Sequence, residues 1–243
     1  MNVRILAFST VLCVATFFSV GCRQMPARSE AEVQRPDQVS NFAALYQQNC
    51  AACHGASGKN GAAISLANPV YLAFAGTDMI QKVTANGVHG SLMPAFAKSQ
   101  GGMLTDQQIA ILAQGVESAW AKPAALQGQS TPPYESSSPG DPARGQQAFG
   151  TFCASCHGSD GDGLKRKQNS TGSLVDPAYL ALISDQGLRS LIVAGQPEDG
   201  MPDWRSDIAG EGSRAMSDQE ITDTVAWLAS HRVTAPGQPY VHP

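Results

Sequence analysis

Two pentapeptides carry the chemistry of this sequence. Cys50-Ala51-Ala52-Cys53-His54 and Cys153-Ala154-Ser155-Cys156-His157 share one C-x-x-C-H spacing. Two residues between the cysteines, on a helical turn, put both sulfurs on one side. The residue that follows then aims its imidazole at whatever the sulfurs hold. This is the attachment signature of c-type haem. Cys50 with Cys53, and Cys153 with Cys156, each supply two thioethers to the vinyl groups of one porphyrin. His54 and His157 are then the proximal ligands of two irons. The spacing predicts two covalently bound haem c groups. A zinc site could draw on two such pairs, but each pair here has its own histidine in its own repeat. A thioredoxin-type pair would sit in a βαβ pattern, which the sequence lacks.

The sixth position of each iron separates an electron carrier from an enzyme. Met93 follows His54 by 39 residues and Met201 follows His157 by 44. Each precedes a proline and, one residue further, an aromatic, in Met93-Pro94-Ala95-Phe96 and Met201-Pro202-Asp203-Trp204. They are the methionines that align between the two halves. A thioether opposite histidine favours reduced iron, so Met93 and Met201 are the expected distal ligands. His89, four residues before Met93, is the rival. Met79 reads as core, Met103 and Met216 as packing residues before helix caps, and Met25 as part of a tether. His231 suits a helix C-terminus, His242 stands in the tail, and Lys165-Arg166-Lys167 reads as a solvated loop. Tyr71 and Tyr179 occupy equivalent places, as pocket or packing residues.

The elements that position these groups come in duplicate. The cysteine motifs recur at an offset of 103, Asn68-Pro69 and Asp176-Pro177 at 108, the Met-Pro pairs at 108, and Thr105-Asp106 and Ser217-Asp218 at 112. Four blocks in one order mean a duplicated domain. Phe42, Leu45 and Tyr46 before the first motif, and Ala148, Phe149 and Phe152 before the second, have helical spacing. Thr105 and Ser217 read as N-caps of terminal helices. Their apolar faces are Ile109, Leu112, Ala113 and Val116, and Ile221, Val225, Trp227 and Leu228. The region 176–192 and its counterpart predict one further helix each. Nothing reads as a sheet, so the expected class is all-α. The expected domains are 41–121 and 143–234, with a Pro/Ser-rich linker at 122–142 and a tail at 235–243.

The N-terminus reads as an address. Arg4 precedes an apolar run, Ile5 to Val20, shorter than a comfortable membrane span. Ser19-Val20-Gly21-Cys22 resembles a bacterial lipobox, with Ser19 where leucine is usual. Residues 1–21 are then a lipoprotein-like signal peptide, Cys22 is lipidated, and 22–40 is a flexible tether. Ordinary cleavage nearby, or an uncleaved anchor, are the alternatives, and all three place the chain outside the bacterial inner membrane. Removal of 1–21 takes away one basic residue, leaving 15 basic and 20 acidic, a charge of −5. An acidic chain argues against nucleic-acid binding and leaves room for a basic protein partner.

Both C-x-x-C-H motifs, both Met-Pro pairs and the flanking helices make the sequence resemble a class I dihaem cytochrome c over about residues 41–120 and 143–232. The resemblance implies two tandem small cytochrome c domains, each wrapped around one covalent haem that forms most of its core. It also explains how 7% aromatic residues suffice. Such folds favour a small residue where the terminal helices cross. Gly145 fits that pattern in the second copy, whereas the first has Phe42. The implied function is single-electron transfer between redox partners, not catalysis. The setting is a respiratory or photosynthetic complex in the periplasm or cell envelope, reached through the lipid at Cys22. A dihaem oxidoreductase, or the cytochrome subunit of a periplasmic dehydrogenase acting on a small substrate, is the competing reading.

Overall fold

The computed structural model describes residues 34–166, 170–205 and 214–233. The expected signal segment 1–21, Cys22, Met25, most of the tether, Lys167, His242 and the tail 235–243 lie outside the described residues. The chain divides after Gln38 into two compact units. In the first, the described part holds a 3-10 turn, Pro36–Gln38. The second unit, from Val39, contains both sequence repeats.

The fold is all-α. Among the described residues the only β pairing is three isolated bridges, Ala97–Leu104, Leu164–Thr171 and Gln196–Met201. The first repeat forms α1 (Phe42–Asn49), α2 (Ala51–His54), α3 (Pro69–Asn86) and α4 (Asp106–Trp120). The second forms α5 (Pro142–Phe152), α6 (Ala154–His157), α7 (Pro177–Leu182), α8 (Asp185–Ala194) and α9 (Asp218–Ala229). The caps anticipated at Thr105 and Ser217 are both reciprocal capping boxes, with Gln108 and Glu220 reaching back. Each such cap contributes about 1 kcal/mol.

In each half the terminal helices pack together, α1 on α4 and α5 on α9. The anticipated faces are buried: Ile109, Leu112, Ala113 and Val116 in one cluster, Ile221, Val225, Trp227 and Leu228 in the other. Met216 is also buried, but Met103 is 80% exposed, against expectation. It follows Gly102, which presses so close to the Phe96 backbone that a Cβ would lie 2.2 Å from its carbonyl carbon. Met79, expected in the core, is only half-buried.

The region 176–192 makes two helices rather than one. Ile183 is extended, and Ser184 caps a fresh helix by accepting the Gly187 N–H at 3.1 Å. The same break marks α3 at Gly76, whose φ of 68° is open to glycine.

The segment 122–142 lies docked. The Tyr134 carbonyl accepts from Gln186 Nε2 at 2.8 Å and Arg189 Nε at 3.1 Å. Arg189 Nη2 also donates to the Pro133 carbonyl at 2.8 Å. The Tyr134 ring packs 5.8 Å from that of Phe74 on α3.

Candidate haem sites

Each C-x-x-C-H motif sits on a joint between two helices. Cys50 ends α1 and starts α2 with φ −118° and ψ −36°, and Cys153 does the same with −118° and −34°. The carbonyl of each accepts from the second cysteine and from the histidine: 3.2 and 3.0 Å in the first motif, 3.1 and 2.9 Å in the second. One tight turn therefore carries both sulfurs and the imidazole. A glycine at positive φ closes each turn, Gly55 at 82° and Gly158 at 80°. At Gly55 a Cβ would meet the Lys59 carbonyl oxygen at 1.9 Å, so only glycine fits. Tyr46 holds the same corner, donating its hydroxyl to the Gly55 carbonyl at 2.8 Å. Helical spacing places Tyr46 before the motif but does not announce this bond.

His54 is 7% exposed, and its Nδ1 lies 2.8 Å from the Ile64 carbonyl. A carbonyl only accepts, so Nδ1 carries the proton and Nε2 keeps its lone pair. Burial lowers the His54 pKa, against the opposing pull of the Ile64 bond. Burial lowers that of His157 as well. Both rings are thus neutral, the form that ligates metal. His157 differs in its outer bond: its Nδ1 is buried with no partner among the described residues. Burial, then the neighbouring Cys53, pushes the Cys50 thiol up to about 11. Burial, then Cys156, pushes Cys153 up to about 12. The four cysteines are unpaired with one another. Among the described residues no three His, Cys, Asp or Glu side chains converge on a metal position. A buried neutral imidazole with Nε2 free, beside two reduced thiols on one turn, fits a covalently attached haem.

The Met-Pro segments are strapped over helix ends. Gly87 ends α3 at φ 71° and Gly195 ends α8 at φ 66°. A Cβ on Gly87 would meet the Ala95 nitrogen at 2.7 Å and the Met93 oxygen at 2.8 Å. One on Gly195 would meet Asp203 N and Pro202 C at 2.6 Å. Met93 is fixed by Val88 N–H to its carbonyl at 3.1 Å and by its own N–H to Ser91 Oγ at 3.2 Å. Met201 exchanges two backbone bonds with Gln196, at 2.8 and 3.0 Å. Both methionines are half-buried, whereas His89 is exposed. Trp204 is buried beneath the Arg205 guanidinium, 4.8 Å from its ring centre, and Phe96 is half-buried in the equivalent place. Tyr71 is buried and Tyr179 half-buried. Sequence reasoning missed Gly87 and Gly195, although they share the offset of 108 with the methionines.

Two family models match. "Cytochrome C oxidase, cbb3-type, subunit III" covers residues 37–114, and "Cytochrome c" covers 142–232. The chain carries two cytochrome c-type domains. It therefore holds two covalent haem c groups with their irons, a dihaem cytochrome c. The chain is 28% identical over 176 residues to the cbb3-type cytochrome c oxidase subunit FixPc of Rhizobium leguminosarum bv. viciae. It is 30% identical over 176 residues to the corresponding subunit FixP of Sinorhizobium medicae. Each match takes in 68% of this chain and 54% of the relative, so the chain spans about half the length of those proteins. A chain of the Kuenenia stuttgartiensis reducing HAO-like protein complex superposes with a TM-score of 0.41 at 16% identity, over 79% of this chain and 96% of that one. Among the described residues no helix is long and apolar enough to cross a membrane.

Proposed function

We propose that this dihaem cytochrome c passes single electrons between redox partners, as a carrier or subunit of a respiratory electron-transport complex. Its haems are attached at Cys50 and Cys53, with His54 as proximal ligand, and at Cys153 and Cys156, with His157. Met93 and Met201 close the sixth positions. One observation supports this reading: each half carries an imidazole on a tight C-x-x-C-H turn and, further along, a Met-Pro strap pinned by backbone bonds. Bound haem supplies a one-electron iron couple. The chain's own residues set the rest. Burial keeps His54 and His157 neutral, the straps hold each thioether in place, and Trp204 and Phe96 keep water from the strap. The likeness to cbb3-type oxidase subunits supports the respiratory setting. Export to the periplasm and a lipid at Cys22 would tether the chain by its N-terminal segment, raising its effective concentration near its partners.

The test is an optical spectrum of the holoprotein, oxidised, reduced, and reduced under carbon monoxide. A Met–iron charge-transfer band with no response to carbon monoxide is expected. Met93→Ala and Met201→Ala should each open one haem to carbon monoxide. Carbon monoxide binding to the unmodified protein would show an open iron, and would move the dihaem oxidoreductase reading to the front.

A further inference from the structure

Asn68 is 2% exposed, and all of its side chain is used. Its Oδ1 caps α3, accepting the Val70 N–H at 2.9 Å and the Tyr71 N–H at 3.2 Å. Its Nδ2 leaves the first half of the chain altogether. It donates to the Ala194 carbonyl at 3.0 Å and the Gly195 carbonyl at 3.1 Å, at the end of α8. Gly195 is the glycine over which Pro202 and Asp203 pass, and Gln196, its neighbour, exchanges both backbone bonds with Met201.

The equivalent residue in the second half, Asp176, caps α7 through Ala178 and Tyr179, both at 2.9 Å. A carboxylate has no N–H to give, and Asp176 shows no reciprocal bond to the Gly87 end of α3. This hydrogen-bonded tie runs one way, from the first half to the second. The cores confirm the junction: Val70 belongs to the buried cluster of the second half and Ala194 to that of the first. Beside the bridge, Asn68, Pro69 and Val70 face Pro202, Asp203 and Arg205 across a cavity of about 380 Å³. The strap therefore faces the first half across open space, and Asn68 reaches its base through the Ala194 and Gly195 carbonyls.

We propose that Asn68 is a positioning residue for the distal ligand of the other haem: its amide anchors the base of the Met201 strap, so the first half would steady the thioether offered to the second half's haem. This rests on the reading of Met201 as that ligand. The Met93 strap, which has Ser91 Oγ of its own, needs no such help.

Three substitutions on the holoprotein separate the roles. Asn68→Ser and Asn68→Asp keep an oxygen for the α3 cap and remove the donor to Ala194 and Gly195. Asp176→Asn changes the equivalent cap and leaves the bridge untouched. With Asn68→Ser and Asn68→Asp, the charge-transfer band should fall toward half, carbon monoxide should bind one haem of two, and only one of two potentials should drop. Amide exchange at Gln196 and Met201 should quicken at least tenfold, and that at Val88 should not. Asp176→Asn should match the unmodified protein in all of these. Unchanged exchange and an unchanged band in Asn68→Ser would overturn the proposal. Faster exchange at Gln196 with no change in band or potential would show a purely structural tie, and overturns it equally. A missing band in the unmodified protein would instead sink the ligand assignment itself.

Discussion

The ring of Phe42 lies over Gly115, so close that a Cβ on Gly115 would stand 2.1 Å from Phe42 Cδ2. The other half inverts this pairing. Gly145, the counterpart of Phe42, sits beneath Trp227, the counterpart of Gly115, and a Cβ there would meet the Asp223 carbonyl oxygen at 1.9 Å and Trp227 Cβ at 2.8 Å. One small and one large residue meet at each crossing of terminal helices, and the duplicated halves have exchanged which helix supplies which. Gly115→Ala should lower the stability of the first half by about 1–3 kcal/mol, the usual cost of overpacking. In a Phe42→Ala background the same change should cost far less, so a double-mutant cycle by chemical denaturation reads the contact directly. Additive costs would show that the ring yields freely.

This exchange marks where the sequence was legible and where it was not. The two C-x-x-C-H turns, the capping boxes at Thr105 and Ser217, and the buried faces of α4 and α9 follow from local spacing, and local spacing survives into structure. The crossing at Phe42 looked like a departure because its compensating glycine lies 73 residues away, on another helix. The role of Asn68 was hidden for the same reason: its cap is local, but its bridge spans 126 and 127 residues. The 122–142 segment has the composition of a loose linker. Its attachment depends on Arg189, which nothing in the linker's own sequence announces.

The two imidazoles differ in their outer bonds. His54 donates from Nδ1 to the Ile64 carbonyl, whereas His157 finds no acceptor among the described residues. A carbonyl on the far nitrogen raises the basicity of the ligating one and favours oxidised iron. The haem at His54 should therefore have the lower of two resolved potentials. A potentiometric titration of Met93→Ala and Met201→Ala beside the unmodified protein assigns each wave to its half. The reverse order would show that burial or solvent, and not the outer bond, sets the difference.

Arg189 is 3% exposed. Besides the Pro133 and Tyr134 carbonyls it bonds Thr222 Oγ1 at 3.1 Å and pairs with Asp218. Arg189→Ala removes the donors while leaving those acceptors in place, a loss of about 3 kcal/mol for buried groups left unpaired. Limited proteolysis should then cut between residues 122 and 142, where the unmodified protein resists. Equal resistance would mean that Tyr134 on Phe74 is enough to hold the segment.

Acid should weaken the α9 cap before it weakens the helix core. The Glu220 pKa is lowered from its ordinary 4.5 to about 2, first by the Arg214 guanidinium, against burial, and then by the Ser217 N–H and hydroxyl. Arg214 reaches both carboxylate oxygens, at 2.7 and 2.5 Å. A folded-state pKa below the unfolded one means that the bound carboxylate stabilises the fold at neutral pH. That contribution is whole above about pH 5 and disappears as pH falls through about 2. Because Arg214 is largely exposed, water screens the pair and keeps its contribution small. Glu220→Gln should thus lower the thermal midpoint of the second half at pH 7, and the gap from the unmodified protein should close on acidification. A gap that persists at pH 2 would show that the hydrogen-bonding shape of the cap, and not the charge of Glu220, carries its stabilisation.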